Sequence, residues 1–136
     1  MTFVLDASVS LSWCLDDERS PATEQILERL AGTAAIVPAI WPFEVANGLR
    51  DAELRGRIAM IDVVRSILLL KSLPIEVEPA DTASVLDECV AIARRLELSV
   101  FDAAYVSLAM ARRLPLATSD ERLRRVAAGA GVELVQ

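Results

Sequence analysis

Short apolar runs alternate along this chain with longer stretches in which apolar residues recur every three or four positions. The runs Phe3-Val4-Leu5, Ala35-Ile36-Val37-Pro38, Pro74-Ile75-Glu76-Val77, Pro115-Leu116-Ala117-Thr118 and Val132-Glu133-Leu134-Val135 are each read as a short strand. The first is continuous apolar text, as expected of a strand buried on both faces of a parallel sheet. Between the runs the period is helical, beginning with an apolar segment over 9–15. Ser20-Pro21 then supplies an N-cap and a first-turn proline for a helix that presents Ile26, Leu27 and Leu30 on one face and stops at Gly32. Trp41-Pro42 opens a helix that reaches about Arg55 and is closed by Gly56, with Val45, Leu49 and Ala52 on its packed face and Glu44, Asn47 and Asp51 on another. Further helices are predicted over 60–73, from a cap at Asp81 or Thr82 to Leu96, from Ser99 to Arg113, and from Glu121 to Gly129 or Gly131. Strands alternating with helices predict an α/β fold whose parallel strands are joined by right-handed crossovers.

At 136 residues the chain is read as one domain, residues 1–136, large enough to bury a sizeable core. Its 54% apolar composition and mean hydropathy of +0.40 exceed what such a core needs. The surplus is concentrated over 60–73, where Ile61, Val63, Val64, Ile67, Leu68, Leu69 and Leu70 leave almost no polar face. That helix is predicted to be an interface element, covered by a partner or a second copy of the chain. No apolar run reaches the ~18 residues of a membrane span and no basic leader precedes an apolar segment, so a cytoplasmic protein without membrane association is expected. Cys14 and Cys89 lie in apolar helical text without C-x-x-C spacing and are read as buried, reduced thiols.

Candidate chemistry sits where the apolar text ends. Asp6 follows the first strand directly, and Thr118-Ser119-Asp120 closes the fourth in the same way. Glu44 falls in the first turn of the helix after the second strand, and Asp102 in the first turn of the helix before the fourth. Ligands of open α/β sheets bind outside the carboxyl ends of the strands, where the strand order reverses. Each acid also has a bland alternative. Asp6 could cap the next helix, Ser99 and Asp102 have capping-box spacing, and Glu44 and Asp120 could favour positive helix N-termini. Their coincidence at one edge is what points to chemistry. Histidine is absent, which removes the usual general base and zinc ligand and every triad that relies on imidazole. Close carboxylates repel unless a cation neutralises them, and oxygen-only ligands select Mg²⁺ or Mn²⁺ over zinc. Such a site suits metal-assisted phosphodiester hydrolysis. The net charge of -6 argues against a sequence-reading DNA binder with a broad basic surface, but not against a nuclease whose acids contribute that charge.

Four blocks in order carry a family resemblance: Val4-Leu5-Asp6-Ala7-Ser8, Pro42-Phe43-Glu44-Val45-Ala46-Asn47-Gly48-Leu49-Arg50, Leu98-Ser99-Val100-Phe101-Asp102-Ala103-Ala104-Tyr105 and Leu116-Ala117-Thr118-Ser119-Asp120. Together they span essentially the whole chain. With them the sequence resembles the PIN-domain nucleases and, among these, the VapC-type toxins of type II toxin–antitoxin pairs. The resemblance implies a three-layer α/β sandwich with a central parallel sheet of four to five strands flanked by helices. It also implies an Mg²⁺-dependent endoribonuclease toxin, with Mn²⁺ able to substitute, in which Asp6, Glu44, Asp102 and Asp120 form an acidic metal-binding quartet. Ser8 and Thr118 would support the quartet by hydrogen bonding, and Asn47, one turn from Glu44, would orient a carboxylate. The implied partners are an RNA substrate, a VapB-type antitoxin and a second copy of the chain in a homodimer. The sequence departs from the family text at Gly48 and Phe101, where Ala and Tyr are expected.

Arg112, Arg113, Arg122, Arg124 and Arg125 are candidates for phosphate contact or simply a solvated helix face. Trp13 and Trp41 could stack on a base or fill the core. A response-regulator receiver would need paired acids and a lysine at a late strand end, yet Lys71, the only lysine, lies in a helix. A haloacid-dehalogenase-type phosphatase needs a second Asp two residues after the first, and Ser8 stands there. A catalytically silent RNA-binding or scaffolding module on the same fold is the remaining alternative, which an incomplete quartet would favour.

Overall fold

Four parallel strands, adjacent in the order β3-β2-β1-β4, form the central sheet. The computed structural model describes residues 2–136. In chain order the elements are β1 (Phe3–Leu5), α1 (Ala7–Ser12), a 3₁₀ turn (Asp16–Glu18), α2 (Pro21–Arg29), β2 (Ala35–Pro38), α3 (Trp41–Leu54), α4 (Met60–Ser72) and β3 (Ile75–Glu78). There follow a π-wound segment (Ser84–Cys89) continuing into α5 (Val90–Leu96), then α6 (Val100–Arg112), β4 (Leu116–Ala117) and α7 (Glu121–Gly129). This is the predicted α/β sandwich, with β1 central because it pairs with β2 on one side and β4 on the other. Phe3, Val4 and Leu5 are buried, as a strand covered by helices on both faces requires. The strand order reverses between β1 and β4, and that places the crevice at their carboxyl ends.

The local signals act as their chemistry dictates. Ser20 Oγ accepts from the Thr23 amide at 3.2 Å and caps α2. Asp81 rather than Thr82 caps the next helix, its carboxylate accepting from the Ser84 amide at 3.0 Å. Gly56 ends α3 with φ +73°, a conformation that suits glycine. Trp13 and Trp41 belong to the core: Trp13 Nε1 donates to the Thr23 carbonyl at 2.8 Å, and Trp41 Nε1 to Ser10 Oγ at 3.0 Å. Cys89 is buried and Cys14 partly so, and both are free thiols.

Two expectations change. The strand predicted at 132–135 reduces to one bridge, Leu134 to Leu116, with backbone hydrogen bonds from Leu116 N to Glu133 O and from Val135 N to Leu116 O. β4 is only two residues long and leaves little edge on which a fifth strand could pair. The π-wound turn in the helix before α6 carries no sequence mark. On α4 only Ser66 and Leu70 are buried, while Met60, Ile61, Val64, Ile67 and Leu68 are exposed. Among the described residues no helix is long and apolar enough to cross a membrane.

The departure at Gly48 has a packing cause. A Cβ there would lie 2.5 Å from Leu11 Cδ1, where α1 crosses α3. Alanine inside a helix is favoured over glycine by roughly 0.5–1 kcal/mol, while overpacking costs typically 1–3 kcal/mol. Leu11 is only partly buried and can yield somewhat, so the two effects are of similar size. Gly48→Ala alone should therefore be neutral to destabilising by about 1 kcal/mol. Against a Leu11→Ala background the same change should stabilise by about 0.5–1 kcal/mol. Urea melts of the four proteins in the cycle measure the coupling, and simple additivity would show that the contact is unimportant.

Candidate active site at the carboxyl edge of the sheet

Pairing of Leu5 with Ala117 brings the ends of β1 and β4 together, and the Asp6 amide donates to the Ala117 carbonyl at 2.9 Å. Asp6 is thereby set beside Thr118, with only 6% of its surface exposed. Its side chain does not cap α1. Instead, Oδ2 accepts from Ser8 Oγ at 2.5 Å and from Thr118 Oγ1 at 2.7 Å. The same two hydroxyls accept in turn from backbone amides, Ser8 from Ser119 at 3.1 Å and Thr118 from Asp120 at 3.1 Å. A buried carboxylate needs such donors, because an unpaired buried charge costs several kcal/mol or more. Both hydroxyls converge on Oδ2, so Oδ1 has no hydroxyl partner.

The other three acids arrive on helix first turns. Glu44 on α3 is half-buried, and its Oε1 accepts from the Tyr105 hydroxyl at 2.6 Å. Asp102 on α6 is half-buried. Ser99 Oγ accepts from the Asp102 amide at 3.1 Å, so half of the capping box forms, while the carboxylate is left for other use. Asp120 is exposed and caps α7, with Oδ1 accepting from the Leu123 amide at 3.1 Å. Its bland alternative therefore holds in fact, though a capping oxygen leaves the second oxygen available. Asn47 is exposed and makes no side-chain hydrogen bond to a carboxylate among the described residues.

Tyr105 is the site residue that the sequence reading passed over. It is fully buried, one turn beyond Asp102 on α6. A phenol in an otherwise apolar stripe needs a hydrogen-bond partner, and that was the available signal. Burial, reinforced by Glu44, pushes its pKa well above the ordinary value, so it stays a donor.

Electrostatics tie the four acids together. Burial raises the pKa of Asp6, opposed by its two hydroxyl bonds and aided by the charge of Asp120. Glu44 is raised by burial, opposed by Tyr105 and aided by the charges of Asp6 and Asp102. Asp102 is raised by burial and by Asp6 and Asp120, and is lowered by Arg122. Arg122 and Arg124 donate to the carbonyls of Glu97 and Thr118, near the site, whereas Arg112 pairs with Glu78 nearly three turns along α6 from Asp102. Among the described residues no three acids converge closely enough to chelate one ion between them. The donor set still fits Mg²⁺, which keeps several waters and commonly takes only one or two protein carboxylates.

Raised carboxylate pKa values have a sign. Each such group stabilises the fold below its unfolded pKa, and the contribution fades as pH rises through the folded value. For Asp6, Glu44 and Asp102 the loss runs upward from the ordinary carboxylate range of about 4. In EDTA, Asp102→Asn should therefore gain stability relative to the parent as pH rises from about 4 to 7. Urea melts of the pair across that range measure the difference, and a gap that stays constant would mean that neither burial nor the neighbouring charges raise the Asp102 carboxyl. Tyr105→Phe, which strands Glu44, should cost about 1–3 kcal/mol in the same assay at neutral pH.

The PIN domain family matches residues 3–129. Ribonuclease VapC9 of Mycobacterium tuberculosis is 32% identical over 120 residues, which cover 88% of this chain and 87% of that protein. Among solved structures, PAE2754 from Pyrobaculum aerophilum superposes with a TM-score of 0.71 at 20% identity, covering 93% of this chain and 84% of that one. VapBC2 from Rickettsia felis, crystallised bound to a DNA fragment from its promoter, gives 0.71 at 16% identity over 99% and 98% of the two chains. The two structures show the shared fold, and the family match with the 32% identity shows the descent: the chain belongs to the PIN-domain family, among its VapC-type members.

Proposed function

We propose that this protein is a metal-dependent endoribonuclease, the toxin of a toxin–antitoxin pair acting in the cytoplasm. The observation that carries the reading is the buried Asp6 carboxylate at the strand-order reversal, within electrostatic reach of the other site acids. Asp6, Glu44, Asp102 and Asp120 would hold Mg²⁺ between them, one or two carboxylates directly and the others through waters the ion keeps, with Mn²⁺ as substitute. When bound, the ion supplies Lewis acidity, lowering the pKa of a water and offsetting charge that grows on the attacked phosphate.

The rest is work for the chain's own groups. Ser8 and Thr118 fix Asp6 through one oxygen, so the other is presented in one orientation. Tyr105 does the same for Glu44, and its raised pKa keeps it a donor at neutral pH. Arg122, whose charge reaches Asp102, would meet a phosphate oxygen. The exposed apolar side of α4 is the surface we assign to partners, an antitoxin segment and a second copy of the chain.

Protein purified free of antitoxin should cleave structured RNA in Mg²⁺ or Mn²⁺ and stop in EDTA. Asp6→Asn should lower cleavage about a thousandfold or more while the fold persists, the scale on which loss of one essential group acts. Mg²⁺ at ~100 times its dissociation constant should stabilise the parent by roughly 2.7 kcal/mol. Cleavage that survives EDTA would sink the metal mechanism, and RNA binding without cleavage would leave a silent RNA-binding module.

A further inference from the structure

The arginines divide by what holds them. Arg19, Arg50, Arg55, Arg57 and Arg112 are each ion-paired to a carboxylate. Arg94, Arg95, Arg122 and Arg125 are exposed, and among the described residues none of them pairs with an acid. All four lie at the carboxyl edge of the sheet. Arg94 and Arg95 occupy the last turn of α5, which ends just before α6 begins, and Arg122 and Arg125 follow the end of β4 on α7. Arg122 ties the two segments together, because its guanidinium donates to the carbonyl of Glu97, two residues after Arg95. Its charge also reaches Asp102. Arg122 and Arg125, three residues apart, share one face of α7.

Local structure explains only part of this. Arg94 and Arg95 suit the negative end of α5, but Arg122 stands in the first turn of α7, where the helix dipole disfavours a cation. Glu97 and Glu121 are near in sequence, yet neither is in ion-pair contact with these arginines. In a chain of net charge -6, four uncommitted guanidinium groups beside the acids call for an anion. We propose that Arg94, Arg95, Arg122 and Arg125 form a track for the phosphate backbone of the RNA, flanking the acids on the α5–α7 side; this rests on the ribonuclease reading above. The acids themselves repel a polyanion, and cations beside them hold the strand against that repulsion. Phosphate contacts fix position and carry no sequence information, so the track sets where the strand lies and not which base is cut. The four arginines thus act as positioning residues. Arg113 supplies the comparison: it too has no acid partner, but it caps the far end of α6, about three turns beyond Asp102.

The test uses the full chain with Asp6→Asn to prevent cleavage, in Mg²⁺, and a fluorescein-labelled single-stranded RNA of mixed sequence. Anisotropy titrations across a range of salt give the affinity and its slope against log salt. Each phosphate contact to a single strand contributes ~0.7 to that slope. Arg94→Gln with Arg95→Gln, and Arg122→Gln with Arg125→Gln, should each lower it by about 1.4 and weaken binding roughly tenfold or more at ~0.1 M salt. The corresponding lysine pairs keep the charge and should keep most of the slope. Arg113→Gln should change neither quantity. With Asp6 intact, the glutamine pair at 94 and 95 should raise KM by a similar factor with kcat little changed. Glutamine pairs that keep the parent's slope, while the parent cleaves RNA, overturn the track and leave the ribonuclease reading standing. An equal loss with Arg113→Gln would mark an effect of net charge, and an equal loss in the lysine pairs a structural role; either overturns the track. Poly-glutamate that displaces the RNA at equal charge concentration makes the strip an acidic-peptide site and overturns it too. A parent that neither binds nor cleaves RNA overturns both readings.

Discussion

Everything at this sheet edge depends on how a carboxylate is kept buried at the end of the central strand. Asp6 cannot retreat to solvent, because β1 is flanked by a strand on each side and covered by helices. Its charge is tolerable only because Ser8 and Thr118 bring hydroxyls to it from two chain segments 110 residues apart. The hydroxyls can meet there only if β1 and β4 pair in the observed register, Leu5 opposite Ala117. A slip of one residue would turn Thr118 to the other face and strand the acid. The short β4 is therefore fixed as much by its polar end as by its two buried residues.

The remaining acids show how repulsion is shared out. Each raised carboxylate has a different local counterweight: two hydroxyls for Asp6, a phenol for Glu44, a guanidinium for Asp102. None of the three is neutralised outright, and they do not close into a preformed chelating cluster. A site of this kind spends stability on charge held for later use, as functional sites commonly do. A cation bound there would relieve the repulsion, and an anion would add to it.

Much of this was legible because the signals are local. Val4-Leu5-Asp6 gives a buried strand and its polar end at once, and the Ser20, Gly56 and Asp81 boundaries follow from capping and turn chemistry. The four acids could be assigned to one edge because alternating strands and helices leave little freedom in topology. What was missed depends on long-range geometry. Tyr105 fits an apolar helical stripe, and only its distance from Glu44, 61 residues away in sequence, shows its other use. Val132-Glu133-Leu134-Val135 has strand text, but whether it pairs depends on the length of β4 beside it. Asn47 has the right helical spacing from Glu44, yet its side chain is in solvent. The spacing fixes a face, and the packing of α3 decides what that face meets.

α6 joins the core to the site. Its first turn carries Phe101 and Asp102, its second carries Tyr105, and its inner face buries Ala103, Val106 and Ala109 against the sheet. Small residues at 103 and 109 let the helix approach β1 and β2 closely, and that approach brings Tyr105 within 2.6 Å of Glu44 on α3. One helix thus presents an acid, holds a second acid by its phenol and exposes an aromatic ring beside both. A bulkier residue at 103 would push all three outward together. The coupling between core packing and site geometry is therefore strongest at α6, where a change of a few ångströms in one helix reaches two acids on different elements.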